Sequence, residues 1–129
     1  LRDHGAELAC LAGFMRILTP GFVAAWRDRL INIHPSLLPS FKGLNAQQSA
    51  LDAGTRITGC TVHFVRAEMD SGPIIAQAAV PVLAGDDADS LAARILAQEH
   101  IIYPQAVALI AQGRVRIDGN RAVIDSPGD

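Results

Sequence analysis

Apolar and polar positions along the chain follow two alternating periods. Glu7 to Gly13 contains a short apolar run closed by glycine, the pattern of a strand buried on both faces of a largely parallel sheet. Thr19-Pro20 then opens a helix, with Phe22, Val23 and Trp26 at helical spacing. Leu30 to His34 is a second extended run, stopped by Pro35, which biases His34 toward extended backbone. Ser36 to Gly43 is a loop, and Asn45 to Ala53 reads as a helix capped by Asn45 and ended by Gly54. Loop and helix together are expected to cross the sheet.

From Thr58 to Arg66 the pattern alternates, with Thr61, His63 and Val65 on one face and Cys60, Val62 and Phe64 on the other. The turn residues Asp70-Ser71-Gly72-Pro73 and a run from Ile74 to Val82 complete a hairpin with a long connection. Asp86 to Ser90 start a helix whose stripe of Leu91, Ile95, Leu96, Ile102, Val107 and Ile110 runs to Gly113, and Pro104 is expected to kink it. Asp118-Gly119-Asn120 between β-prone flanks predicts a small hairpin over Val115 to Ile124. The expected fold is α/β, a mixed parallel and antiparallel sheet flanked by helices, in one domain spanning residues 1–129.

Composition narrows the functional classes. Half of the residues are apolar and 19% are charged, which suits a folded core and excludes disorder as the main state. Eleven Lys and Arg against thirteen Asp and Glu give a net charge of −2 with no basic stripe, so no nucleic-acid or anionic-membrane surface is indicated. Cys10 and Cys60 sit in apolar runs, as buried free thiols do, and no apolar run approaches bilayer length; both features point to a cytoplasmic protein. The chain opens on Leu1 and reaches strand-like sequence within eight residues, so it reads as a piece of something longer.

Candidate chemistry gathers at the end of the second strand. Asn32 and His34 are two residues apart on an extended segment, so their side chains leave the same face, at the strand edge where open α/β sheets place ligands. An amide that can donate to an oxyanion beside an imidazole that titrates near neutrality suits acyl-type transfer. Taken without further context, the residues alone favour the plainer reading of two polar side chains that satisfy loop backbone groups. Asp70 is either a turn organiser or an acid–base partner, and His63 is either ligand-facing or structural. Glu99, in Gln98-Glu99-His100, fits a solvated helix face, and Met15, Ile17 and Leu18 fit either core or an apolar pocket. Neither CxxC, HExxH nor GxSxG occurs, so zinc and a serine nucleophile are unsupported.

Five strings in order carry a resemblance: Ala12 to Leu18 (AGFMRIL), Asn32 to Pro39 (NIHPSLLP), Gly59 to Val65 (GCTVHFV), Asp70 to Ile75 (DSGPII) and Gln98 to Pro104 (QEHIIYP). From about Glu7 to about Asp125 the chain resembles the phosphoribosylglycinamide formyltransferase family, the folate-dependent enzymes of purine synthesis. The resemblance implies the C-terminal half of a Rossmann-like formyltransferase fold, which passes a formyl group from 10-formyltetrahydrofolate to the amino group of glycinamide ribonucleotide without a metal. It implies that Asn32 and His34 polarise the formyl oxygen and stabilise a tetrahedral intermediate, with Asp70 assisting proton transfer. It further implies folate contacts from Met15, Arg16, Ile17 and Leu18 and from Val65, Arg66, Ala67 and Glu68. Glu99 would hold the substrate amine, with His63 and Thr61 in support.

The chain departs from the family at Asn45, where members carry His or Asp, and the family's upstream half with its phosphate-binding glycine loop is absent. These residues alone are therefore expected to be a poor catalyst unless another chain supplies that half; the oligomeric state stays open, a homodimer included. The rival readings are formyltetrahydrofolate deformylase, in which water accepts the formyl group, methionyl-tRNA formyltransferase, which the absence of a basic surface disfavours, and a folate-binding module without turnover.

Overall fold

The computed structural model describes residues 9–12, 30–68 and 70–125. In chain order these form β1 (Ala9–Ala12), β2 (Leu30–His34), α1 (Ala46–Asp52), β3 (Ile57–Phe64), β4 (Ile74–Pro81), α2 (Ala88–Ala111), β5 (Val115–Asp118) and β6 (Arg121–Ile124). The helix expected from Thr19 lies outside the described residues.

The first four strands form one sheet in the order β1-β2-β3-β4, and β5 and β6 form a separate hairpin. β1 runs parallel to β2, with Ala9 opposite Leu30 and Ala12 opposite Ile33. β3 is antiparallel to both β2 and β4, so the sheet is mixed, as the sequence predicts. Between β2 and β3 the chain passes from the polar face, where Ser36 and Leu38 bond Thr61, to the core side, where Leu51 of α1 packs against the core.

Every residue of β2 is buried, and in β3 only Ile57 is exposed, as expected of strands covered on both faces. β4, at the margin, alternates buried and exposed positions instead. One sheet face carries Ile31, Ile33, Cys60, Val62 and Val80 into the core, where Leu91, Ile95, Ile102 and Ala106 of α2 cover them. Val115, Ile117 and Ala122 of the terminal hairpin pack against the margin of that core.

Local chemistry sets the helix limits. Asp87 caps α2: its carboxylate accepts from the Ser90 amide at 2.8 Å, and the Ser90 hydroxyl accepts from the Asp87 amide at 3.0 Å. Arg94 reaches back to Asp86 at 2.8 Å and holds that carboxyl well below the ordinary carboxylate range. The helix continues through Pro104 to Ala111, and past its end Gly113, with φ of 69°, turns the chain so that its amide and that of Arg114 bond the carbonyls of Ile110 and Leu109. Asn45 stands at the N-cap of α1 but makes no side-chain cap bond, contrary to expectation. Its backbone is left-handed (φ 60°), whereas a capping side chain needs extended backbone to reach the first amides.

Candidate functional site

The sheet face opposite α2 is polar where the core face is apolar. Register pairs Asn32 with His63 and His34 with Thr61, and paired residues of an antiparallel ladder project to the same side. Four of the expected residues therefore share one face at the C-terminal end of β2. All four are buried.

Asp70 joins them from the β3–β4 connection. Its backbone is left-handed, with φ of 50°, and its carboxylate bridges two neighbours. One oxygen stands 3.5 Å from His34 Nδ1, and the other accepts the Gly43 amide at 2.5 Å. The connection closes tightly behind it. Phe64 donates its amide to the Pro73 carbonyl at 2.9 Å, and a Cβ on Gly72 would lie 2.0 Å from the Phe64 carbonyl oxygen. Only glycine permits that approach.

His34 is fully buried, and its Nε2 lies 2.8 Å from the Phe41 carbonyl oxygen. A carbonyl only accepts, so Nε2 carries a proton and Nδ1 is the nitrogen turned toward Asp70. By the same logic His63 donates from Nδ1 to the Phe64 carbonyl at 2.9 Å, leaving Nε2 bare. Burial is the main force lowering the His63 pKa below its ordinary value, so the ring is held neutral. Among the described residues the buried side-chain atoms without a hydrogen-bond partner are Asn32 Oδ1, His34 Nδ1 and His63 Nε2. Buried polar atoms are rarely left unpaired. Here three occur on one patch, which suits a polar ligand in contact with it.

The other expected residues fall in three groups. Met15, Arg16, Ile17 and Leu18 lie outside the described residues. Arg66 and Glu68 line a cleft of about 540 Å³ together with Asp70, Lys42 and Gly72, whereas Val65 and Ala67 are not on its wall. Glu99 is not brought to this face. It lies on α2 between Ile95 and Ile102, on the helix side of the sheet, in a second cleft of about 570 Å³ with Ile33, His100 and Tyr103. It is half-buried there, and burial raises its pKa above the usual carboxylate value. The sequence places Glu99 on a solvated face, yet its spacing from Leu91, Ile95, Ile102 and Ala106 puts it on the buried stripe. Cys60, beneath the site in the core, has its thiol pushed up to about 11, chiefly by burial. Among the described residues no three His, Cys, Asp or Glu side chains converge as a metal site.

Sequence reasoning missed three contributors. The Phe41 carbonyl and the Gly43 amide are backbone groups, which no residue letter announces. Gln77 had a signal: it is the lone polar side chain between Ile74 and Val82, directly opposite Thr61.

A mixed sheet with an amide, an imidazole and a carboxylate gathered at one strand end is an arrangement for acyl-group chemistry. Residues 1–107 match the formyl transferase family, and the chain belongs to that family. Phosphoribosylglycinamide formyltransferase of Escherichia coli strain K12 is 48% identical over 122 residues, covering 95% of this chain and 58% of that protein. The bovine trifunctional purine biosynthetic protein adenosine-3 is 52% identical over 120 residues, or 93% of this chain and 12% of that protein. The crystal structure of phosphoribosylglycinamide formyltransferase from Anaplasma phagocytophilum superposes with a TM-score of 0.93 at 56% identity, covering 99% of this chain and 63% of that one. A formyltetrahydrofolate deformylase from Pseudomonas syringae pv. tomato shares the fold with a TM-score of 0.91 at 31% identity, over 97% of this chain and 42% of that one. This chain thus spans less than two thirds of the length of each of these proteins.

Proposed function

We propose that the chain is the folate-binding and catalytic portion of a phosphoribosylglycinamide formyltransferase, acting as one domain over residues 1–129. It transfers a formyl group from 10-formyltetrahydrofolate to the amine of glycinamide ribonucleotide. The observation that carries the reading is the unpaired Oδ1 of Asn32 and the unpaired Nδ1 of His34 on one strand face, with an Asp70 oxygen 3.5 Å from that nitrogen. In this reading the amine attacks the formyl carbon, and negative charge grows on the formyl oxygen. A half-turn of the Asn32 carboxamide presents its N–H to that oxygen, and a protonated Nδ1 of His34 gives a second donor. Asp70 accepts the proton that the amine loses and returns it to the folate nitrogen as the bond from that nitrogen to the formyl carbon breaks. The cleft walled by Arg66, Glu68 and Asp70 seats the folate beside these groups. In the family pattern Glu99 holds the substrate amine; in this chain it stands on the helix side of the sheet, away from Asn32 and His34.

His34→Ala in a complete enzyme, with the upstream half supplied, tests the reading. Formyl transfer to glycinamide ribonucleotide is expected to fall about a hundredfold or more, with affinity for formyl-folate near normal. An equal loss of folate affinity would make His34 a packing residue and sink the proposal. The deformylase likeness supplies a second reading, with water as the acceptor. Formate release from formyl-folate that does not depend on added glycinamide ribonucleotide would favour it, and folate binding without turnover in a chain that carries the complete upstream half would favour a non-catalytic module.

A further inference from the structure

Register lines up three polar side chains from three strands: His34 on β2 faces Thr61 on β3, and Thr61 faces Gln77 on β4. They form one row beneath the loop Ser36–Phe41. Thr61 Oγ1 donates to the Ser36 carbonyl at 2.7 Å and accepts from the Leu38 amide at 3.1 Å and from Gln77 Nε2 at 3.0 Å. Gln77 Nε2 also donates to the Leu38 carbonyl at 3.1 Å. The threonine hydrogen, both of its lone pairs and both amide hydrogens of the glutamine are thereby engaged. Farther along the loop the Ser36 hydroxyl bonds the carbonyls of Ser40 and Phe41, at 2.5 and 3.2 Å. Phe41, with φ of 53°, turns that carbonyl onto His34 Nε2. Hydrogen bonds, joined through the backbone of Ser36 and the one hydroxyl hydrogen it shares between two carbonyls, therefore link the sheet margin to the loop that holds the imidazole.

We propose that Gln77 is a positioning residue for His34. Acting through Thr61 and the Ser36–Phe41 loop, it fixes the Phe41 carbonyl that keeps a proton on Nε2 and leaves Nδ1 as the nitrogen facing the reacting group. What Nδ1 then does rests on the formyl-transfer reading; how the ring is held does not. The need is physical. A neutral imidazole carries its proton on either nitrogen, and the hydrogen bond made by one decides the state of the other. The carbonyl that decides it here sits in a loop segment seven residues beyond His34, so its position depends on what grips the loop. Gln77 is exposed on a marginal strand, where any polar side chain would satisfy solvent. The placement of both its N–H groups on the loop system marks the amide out.

Gln77→Leu and the isosteric Gln77→Glu, which cannot donate, are compared with the parent protein by long-range proton–nitrogen correlation spectra of the imidazole rings. The parent is expected to show neutral His34 as a single Nε2–H tautomer. Both variants are expected to show His34 averaged between tautomers, with His63 unchanged because its Phe64 carbonyl lies outside the row. Thr61→Ser, which keeps the hydroxyl, retains the parent spectrum. In formyl-transfer assays kcat is expected to fall about tenfold in Gln77→Leu, with KM for the formyl donor within about twofold. An unchanged His34 tautomer in both Gln77 variants, or an equal disturbance of His63, would overturn the proposal. A tautomer shift in a protein whose parent transfers no formyl group would uphold the positioning and count against the reaction.

Discussion

Glu99 shows how one position can conflict with its own surroundings. It occupies a turn of α2 where Ile95 before it and Ile102 after it are buried, and burial raises its pKa. A raised carboxyl pKa means that the native state holds the proton more tightly than the unfolded chain. Above the ordinary value of 4.5, the native state therefore loses stability as pH rises through the shifted value. Glu99→Gln removes the charge without changing the shape. Its chemical-denaturation midpoint is expected to exceed that of the parent near neutral pH, and the gain should vanish at about pH 4, where both are uncharged. If Glu99 holds the substrate amine, the same variant should weaken binding of glycinamide ribonucleotide while it stabilises the fold. A lower midpoint at neutral pH would show that the carboxylate is compensated in place.

Among the elements, those with unambiguous period were legible from sequence alone. β2 begins and ends where its apolar run and Pro35 place it. The hairpin β3–β4 follows from alternation, and α2 from a stripe bounded by Asp87 and Gly113. The site was half legible for a related reason. Asn32 and His34 reveal their shared face through a spacing of two, whereas the approach of Asp70 depends on a loop closed by Gly72 against Phe64 and on backbone groups at Phe41 and Gly43. The solvated face that Gln98-Glu99-His100 allows gives way to a half-buried one, because the stripe of Ile95 and Ile102 extends on either side of Glu99. Thr61 was expected only as a support, and its three hydrogen bonds define that support as a clamp between strand and loop. Thr61→Val strands the buried Ser36 carbonyl and Leu38 amide without partners and is expected to cost about 1–3 kcal/mol of unfolding free energy. Equilibrium denaturation checks the figure, and a neutral result would mean that water replaces the hydroxyl.

Over the whole molecule, one sheet serves two purposes on its two faces. The face under α2 buries apolar side chains and supplies stability, and the face under the Ser36–Phe41 loop holds buried polar atoms left without partners. Stability and activity should therefore separate on mutation. Asn32→Ala removes a buried amide whose oxygen has no partner, so the thermal midpoint is expected to stay level or rise, while formyl transfer falls about a hundredfold. A large drop in midpoint would mean that Asn32 holds the fold together, contrary to its unpaired state.

Asp70 contributes a last consequence. A single carboxylate fastens the Gly43 backbone, 27 residues earlier in the chain, while facing the imidazole with its other oxygen. One side chain thus ties the loop after β2 to the β3–β4 connection. Displacing the carboxylate would therefore remove the acid from beside His34 and the backbone anchor at Gly43 in one event.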